Sequence, residues 1–303
     1  MSNAYCLASL KLVSDVELPE LMPWTGTCNG SSNIFFRLGT VPFASSNHGR
    51  GDNDPVAGGS HYVFALKGGG KVLVENGRNV TIEPAPGTDL TEIRAVLMGP
   101  IQSVLWHQRG LLPLHASAVG LNGRAVALAG PSGAGKSSLA AMLSRRNLPV
   151  LGDDICIVAT IDGATVLPST SRLRLWRQAL DHFGMPLVGL PRALSRREKY
   201  LIEGQGVEAS EQQLAAVIIL SRGSCREVAI RRVRGWHAFT ALQSVVHMPA
   251  AARSLGLDGA IFAALVKLVA AGVTVWDLSV PDDLVCLEQA AESIVTTVDG
   301  CTS

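Results

Sequence analysis

The stretch "GPSGAGKSS" at residues 130–138 decides how the chain is interpreted. Gly130, Gly135, Lys136 and Ser137 fit every fixed position of the pattern G-x-x-x-x-G-K-[ST]. Its glycines let several backbone N–H groups point at phosphate oxygens, and the positive end of a following helix adds to the attraction. We therefore expect a nucleoside triphosphate here, with Lys136 on the β and γ phosphates and the Ser137 hydroxyl on Mg²⁺. The predicted nucleotide-binding residues are Gly130, Ser132, Gly133, Ala134, Gly135, Lys136, Ser137 and Ser138.

The sequence around this loop has the strand-before and helix-after order that the motif needs. "LHASAVG" (114–120) and "RAVALAG" (124–130) flank a turn at Asn122-Gly123 and predict an antiparallel hairpin that leads into the loop. "SSLAAMLSRR" (137–146) predicts a short helix that ends in basic residues.

The chain beyond the loop alternates between strand and helix patterns. Strands are predicted at 148–154, in a hairpin over 155–168 that turns at Asp162-Gly163, and at 214–220, 227–233 and 273–280. Helices are predicted at 236–246, 257–271 and 281–298, the last with Pro281 near its start. This alternation predicts an α/β domain, which we bound at residues 101–303.

Residues 1–100 are interpreted as a separate β-rich N-terminal domain. "KVLVENGRNVTIEP" (71–84) alternates apolar and polar residues around Asn76-Gly77 and predicts a hairpin. Residues 44–61 are rich in Gly, Asn, Asp and Pro, which predicts a surface loop or, alternatively, a lid. Helical spacing over 89–110 predicts a connection between the two domains.

An acidic pair, Asp153-Asp154, follows the apolar "LPVL". A carboxylate at the end of a strand beside the phosphate loop is where proteins with this loop hold Mg²⁺. One acid suffices for the metal, so the second could accept a proton from an attacking hydroxyl, and repulsion between like charges raises one of the two pKa values. The alternative is a solvated turn. His115, on the strand predicted to precede the loop, is either a structural residue or a neighbour of this pair.

Composition excludes several classes of protein. The net charge is +1, so neither nucleic acid nor membrane is expected as a partner. No apolar run is long enough to span a bilayer, and the first ten residues lack the features of a signal peptide. Six scattered cysteines without a CxxC pair argue against zinc sites and disulfides and favour a cytoplasmic location.

The stretch "LLPLHASAVGLNGRAVALAGPSGAGKSSLAAMLSRRNLPVLGDD" resembles the catalytic domain of bacterial HPr kinase/phosphorylase, in which a histidine strand, a phosphate loop and an Asp-Asp pair follow in the same order. The resemblance implies an α/β P-loop kinase core of the HPr kinase/phosphoenolpyruvate carboxykinase type. It implies ATP and Mg²⁺ as cofactors and homo-oligomerisation. It implies Asp153 as the base, Asp154 as support for Mg²⁺ and the histidine, and catalytic roles for Lys136 and His115.

The sequence departs from this family after the acidic pair. The Glu-containing segment expected there is replaced by "STSRLRLWRQAL" (169–180), which weakens the expectation of a phosphorylase activity and of HPr as the substrate. "RLRLW" and a later "REKY" resemble HPr-kinase-related proteins encoded near peptide-modification genes. That resemblance implies an acceptor Ser on a peptide or small protein, for example the C-terminal Ser of a lasso-peptide precursor.

Basic residues are abundant between Thr170 and Gly235, where Lys and Arg outnumber Asp and Glu. Candidates for phosphate or acidic-peptide contacts are Arg172, Arg174 and Lys199, followed by Arg177, Arg196 and Arg197. Each of them could instead belong to a solvated face. Trp176 is either a core residue or a platform for adenine.

Three functions fit these patterns. The first is a serine kinase acting on a peptide or small protein. The second is a kinase of a small metabolite with a closed acceptor pocket. The third is a regulator that hydrolyses ATP and passes on no phosphate, against which the second acid of the Asp153-Asp154 pair argues.

Overall fold

The computed structural model describes residues 2–26, 33–42, 56–58, 60–67, 69–193, 197–204, 210–223 and 225–299. Most of the predicted loop at 44–61 and Arg196 lie outside these residues. In the described part of the chain, none of the helices combines the length and the apolar character needed to cross a lipid bilayer.

The first eight strands form one mixed sheet with the order β3-β1-β2-β4-β8-β7-β6-β5. The strands are β1 (Asn3–Leu7), β2 (Leu10–Ser14), β3 (Met22–Pro23), β4 (Ile34–Leu38), β5 (Val56–Gly58), β6 (His61–Ala65), β7 (Gly70–Glu75) and β8 (Asn79–Pro84). The predicted hairpin is confirmed: β7 pairs antiparallel with β8, and Asn76 and Gly77 both have the positive φ that a tight hairpin turn needs.

A broken helix, residues 90–108, follows the first sheet. It consists of α1 (Leu90–Val96), a five-residue π-helical turn (Leu97–Ile101) and α2 (Gln102–Gln108). The break coincides with Gly99, whose φ of −126° and ψ of −107° are not helical, and with Pro100, which has no N–H to donate. Its apolar side chains, including the fully buried Trp106, pack with those of the first sheet. The predicted domain boundary at residue 100 falls within this helix.

The remaining strands build a nine-stranded sheet and a small separate hairpin. The sheet contains β9 (Leu112–Leu114), β10 (Ala116–Leu121), β11 (Arg124–Ala129), β12 (Val150–Gly152), β13 (Cys156–Ala159), β14 (Thr165–Leu167), β17 (Gln212–Gly223), β18 (Ala229–Val233) and β19 (Thr274–Pro281). The hairpin consists of β15 (Arg172–Trp176) and β16 (Lys199–Glu203). At the centre, β17 pairs parallel with β11 on one side and with β19 on the other, which explains their continuous apolar sequences.

Helices cover both faces of the second sheet. The helices after the phosphate loop are α3 (Lys136–Ser144), α4 (Arg177–His182), α5 (Gly235–Ser244), α6 (Pro249–Ser254), α7 (Asp258–Ala270) and α8 (Leu287–Asp299), of which α6 joins the core of the first sheet through Ala251. On one face α3 and α8 pack against Val126, Leu128 and Ile218, and on the other α5 and α7 pack against Ala127 and Val217. Alternate side chains of β11 and β17 thus lie in two different apolar cores, because successive side chains of a strand point to opposite faces of the sheet. The α/β prediction is confirmed as a mixed α/β fold with several sheets.

Two sequence predictions are wrong in detail. Pro281 does not begin the last helix: it ends β19 beside Gly223, and α8 begins at Leu287 after a short 3₁₀ turn. His115 does not lie within a strand. It stands between β9 and β10, where the chain bends from one strand to the other.

We predict that Gly130→Ala destabilises the fold through steric overlap. A Cβ at this position would lie 2.5 Å from the carbonyl oxygen of Leu220, and φ is +142°. Gly123→Ala is the matched control, because its φ is +75° but nothing lies within 4 Å of the added carbon. The left-handed backbone of Gly123 alone costs an alanine about 1–2 kcal/mol, so urea unfolding should show a clearly larger loss for Gly130→Ala. Equal losses would contradict the overlap.

Candidate functional site: a phosphate cradle with two acids

The glycine-rich loop joins the end of β11 to the beginning of α3. Gly133 and Gly135 have φ values of +88° and +97°, which let the loop curl back over the first turn of the helix. Ala134 is 7% exposed and packs into the core beneath the loop. The motif therefore adopts the strand-loop-helix arrangement that can present N–H groups to phosphate.

A cavity of about 790 Å³ opens above this loop. Six of the eight predicted nucleotide-binding residues line it: Ser132, Gly133, Gly135, Lys136, Ser137 and Ser138. Its other walls consist of His115, Asp154, Arg174, Trp176, Gln178, Ala179, His182, Lys199, Arg222, Asp282, Asp283 and Leu284. The space is large enough for a nucleotide-sized ligand and is bordered mainly by charged and polar side chains.

Asp153 is tied to the loop helix. It is 6% exposed, and its Oδ1 accepts hydrogen bonds from the hydroxyls of Ser137 at 2.8 Å and Ser117 at 2.6 Å. Its Oδ2 accepts from the backbone N–H of Arg174 at 2.8 Å. The carboxylate therefore connects α3, β10 and β15, and both of its oxygens are occupied by donors.

Asp154 faces the cavity instead. Its φ of +71° turns the backbone, so that the two adjacent carboxylates diverge. Its Oδ2 lies 2.9 Å from Arg174 Nη1 and its Oδ1 lies 3.7 Å from His115 Nδ1. Burial raises the pKa of Asp154, but the guanidinium of Arg174 and then His115 outweigh it, so the pKa lies below its usual value. Asp154 is ionised at neutral pH.

His115 and Lys136 contact each other at the base of the cavity. Burial, reinforced by the charge of Lys136, lowers the pKa of His115, so the ring is neutral at neutral pH. The contacts then select a tautomer: Nδ1–H donates to the carbonyl of Asp154 at 3.1 Å, and Nε2 accepts from Lys136 Nζ at 3.0 Å. Lys136 also donates to the carbonyls of Gly130 and Pro131, and burial lowers its pKa. The ammonium group of Lys136 is thus hydrogen-bonded to its own loop.

The predicted basic contacts divide into two groups. Arg174 and Lys199 line the cavity. Arg172 points elsewhere, because its guanidinium bonds Glu203 at 3.0 Å and the carbonyl of Pro19. Arg177 is exposed and pairs with Glu198.

Trp176 stands at the mouth of the cavity, so its interpretation as a core residue is wrong. It is 41% exposed, and Lys199 Nζ lies 5.7 Å from its ring centroid. It also borders a second hollow of about 400 Å³, together with Arg177, Gln178, Arg197 and Glu198. The end of β15 therefore presents the ring to solvent between two depressions.

The sequence analysis missed several residues of the site, among them Arg222 and His247. Arg222, at the end of β17, lines the cavity and pairs with Asp282 at 3.0 Å. His247 stacks on His115, with ring centroids 5.2 Å apart and an angle of 26° between the rings. Both lie far along the chain from the glycine-rich loop, and neither belongs to a recognisable motif, so only tertiary contacts bring them to the site.

We predict that Arg174→Gln raises the pKa of Asp154, because the guanidinium is the main charge that lowers it. It should also lower the unfolding free energy by about 1–3 kcal/mol at neutral pH, since the carboxylate loses its strongest partner. A depressed folded-state pKa stabilises above the unfolded pKa, so this difference should shrink as the pH falls through the folded pKa of Asp154. Carboxyl NMR titration and urea unfolding measure both effects. Arg177→Gln, which removes an exposed pair, should leave the Asp154 pKa unchanged.

Comparison with known proteins gives distant structural likenesses but no match by sequence. No protein-family model and no curated protein matches the sequence. Among solved structures, the chain is similar to the Hpr(Ser) kinase/phosphatase from Coxiella burnetii, with a TM-score of 0.31 and 11% sequence identity over 63% of this chain and 94% of that chain. The residues of the cavity therefore carry the functional proposal.

Proposed function

We propose that this chain is an ATP- and Mg²⁺-dependent kinase that transfers the γ-phosphate to a serine of a peptide or small protein. One observation carries the proposal: an ionised carboxylate, Asp154, faces the same cavity as the phosphate cradle and Lys136, while a second acid, Asp153, is occupied with the Ser137 hydroxyl. An ATP-hydrolysing regulator has no evident use for the second acid. A kinase needs one acid near the metal and another near the acceptor.

The residues beside α3 suit Mg²⁺. Ser137 Oγ and Asp153 Oδ1 lie 2.8 Å apart at the edge of the cradle, and hydroxyl and carboxylate oxygens are the ligands this cation prefers. Mg²⁺ keeps several waters and phosphate oxygens as ligands, so few protein groups are required. When bound, it neutralises charge on the phosphate oxygens. Ser137 would hold it, with Asp153 orienting the hydroxyl.

Asp154 is the proposed acceptor base, with Asp153 on the metal side. This exchanges the roles that the sequence resemblance implied for the two acids. The reason is geometric, because both oxygens of Asp153 already accept hydrogen bonds whereas Asp154 is a wall of the cavity. Because Asp154 is ionised, it can accept a hydrogen bond from a serine hydroxyl and orient it toward the γ-phosphorus.

The transfer step then follows from these positions. The acceptor oxygen forms a bond to the γ-phosphorus, its proton passes to Asp154, and the bond from phosphorus to the β–γ bridging oxygen breaks to release ADP. Lys136 leaves its resting contacts with Gly130, Pro131 and His115 and donates to the phosphate oxygens. Arg222 and Lys199 stand on other walls of the cavity and can balance the charge that spreads over the transferred group.

The shape of the site favours an extended acceptor over a small metabolite. The main cavity and the second hollow both border Trp176 and Gln178, and Arg177, Arg197 and Glu198 complete the second hollow. A peptide could place its serine at Asp154 and its neighbouring residues along this polar surface. The C-terminal Ser of a lasso-peptide precursor, which the sequence resemblance suggests, is one acceptor of this kind.

We predict that Asp154→Asn lowers kcat for phosphotransfer by about 100-fold or more while Mg-ATP still binds, because the amide cannot take the proton. Asp153→Asn should instead weaken Mg²⁺-dependent ATP binding, since it disturbs the donor pattern around Ser137. Isothermal titration with Mg-ATP and transfer of labelled phosphate separate the two effects.

The opposite pattern, full transfer in Asp154→Asn with loss in Asp153→Asn at saturating Mg-ATP, would restore Asp153 as the base. Normal transfer in both variants would remove the acids from the mechanism. Glu203→Gln is a suitable control, because this acid lies outside the cavity and pairs with Arg172.

We predict a gain of one phosphate on a serine when the chain is incubated with Mg-ATP and the peptide encoded next to its gene. Trp176→Ala should raise the KM for such a peptide by a larger factor than it lowers kcat, because the exposed ring lies between the two hollows. Mass spectrometry and steady-state kinetics provide the measurements. Transfer to a sugar or amino acid and to no peptide would favour a metabolite kinase, and ATP hydrolysis without any transfer would favour a regulator.

A further inference from the structure

Two side chains contact the carboxylate of Asp154, and further contacts connect each of them to the broken helix at residues 90–108. Arg174 grips one oxygen of the carboxylate at 2.9 Å, and His115 approaches the other at 3.7 Å. Neither contact is sufficient to fix the carboxylate, because Arg174 and His115 have rotatable side chains of their own. What fixes those two side chains therefore decides where Asp154 points.

Arg174 is held by the π-helical turn of the broken helix. Its Nη2 donates to the carbonyl of Met98 at 3.4 Å, while Nη1 bonds Asp154. Met98 lies beside Gly99 and Pro100, where the helix departs from regular geometry. Such π-helical turns occur often at functional sites, because they re-aim backbone groups within a helix. Here the turn presents a carbonyl to the guanidinium.

His115 is held through a second histidine. The ring of His247 stacks on it at 5.2 Å, and His247 Nδ1 lies 2.6 Å from the hydroxyl of Ser103 in α2. His107, one helical turn further along, bonds the carbonyl of His247 through Nε2 at 2.8 Å. The backbone is fixed as well, since His115 N–H donates to the carbonyl of Val245 at 2.7 Å. Both the ring and the backbone of His115 are thus fixed by contacts with residues 245–247.

The polar residues of α2 are unusual in their surroundings. Gln102, Ser103 and His107 are 2%, 0% and 4% exposed, on a helix that otherwise packs its apolar side chains against the first sheet. A polar group in such a place costs stability unless it is hydrogen-bonded. Ser103 and His107 both hydrogen-bond to His247, which does not belong to the first sheet.

We propose that the broken helix is a positioning element of the active site, which fixes Arg174 through Met98 and His115 through Ser103 and His247, on the two sides of Asp154. The first sheet contributes to the site only as the surface on which this helix packs. This rests on the proposed function of Asp154. Ser103 and His247 are positioning residues, because they act through His115 and do not face the cavity.

The test compares Ser103→Ala with a matched control, Ser14→Ala. Ser14 is also fully buried and belongs to the first sheet, and its substitution removes two hydrogen bonds, one to the carbonyl of Val16 and one from the N–H of Val16. We expect Ser103→Ala to lower kcat by about tenfold or more, as small misplacements of catalytic groups do, with the KM for ATP unchanged. Ser14→Ala should keep the parent kcat even where its melting temperature falls equally. Equal kcat values in the two variants would overturn the proposal.

A double-mutant cycle tests the route through His247. If Ser103 acts through this ring, Ser103→Ala should add nothing to the kcat loss of His247→Gln. Multiplying losses would show that Ser103 acts by another route and would overturn this arm of the proposal. Circular dichroism checks that each variant folds.

A readout without turnover separates this inference from the proposed function. Imidazole NMR in the parent should give a His115 pKa below the usual value, set by burial and by Lys136, His247, Asp154 and Asp153 around it. Ser103→Ala should shift this titration, and Ser14→Ala should not. If the parent transfers no phosphate, the kinase proposal fails, while the shift still decides whether α2 positions His115. An unchanged His115 titration would overturn the proposal.

Discussion

The carboxylate of Asp153 is the constraint on which the site depends. Its two oxygens accept from the hydroxyls of Ser117 and Ser137 and from the backbone N–H of Arg174, so one buried charge joins β10, α3 and β15. A buried carboxylate is stable only when donors satisfy it. Because these three donors come from separate elements, the site requires β10, α3 and β15 to be in place together.

The divergence of the acidic pair follows from this anchor. With Asp153 fixed toward α3, the left-handed backbone at Asp154 sends the next side chain into the cavity, where Arg174 and His115 receive it. Asp tolerates this conformation better than most residues, at a modest cost in strain. The two adjacent acids can therefore contact different partners: Asp153 contacts the helix after the phosphate loop, and Asp154 faces the cavity.

The first sheet takes part in this arrangement through the broken helix. Residues 168–172 are also fixed from that side, since Ala8 N–H bonds the carbonyl of Pro168, Thr170 Oγ1 bonds the carbonyl of Glu20, and Arg172 bonds that of Pro19. Ile155 and Ile157 of the second sheet share the apolar core of the first. The β-rich N-terminal region is thus packed against the chain that carries Arg174, and its removal would expose this core.

Local sequence determined the elements whose physics is local: the hairpin at Asn76-Gly77, the strand-loop-helix around Lys136, and the apolar strands at the centre of the second sheet. It also proposed Asp153 and Asp154 as neighbours of the loop, and it left His115 open between a structural role and a position beside these acids. Tertiary structure alone decided which acid faces which partner, that Arg172 points away while Arg174 enters the cavity, and that His247, Ser103 and Met98 stand behind the site. These depend on contacts between residues far apart in the chain, and no local pattern of residue types encodes the direction in which a side chain finds its partner.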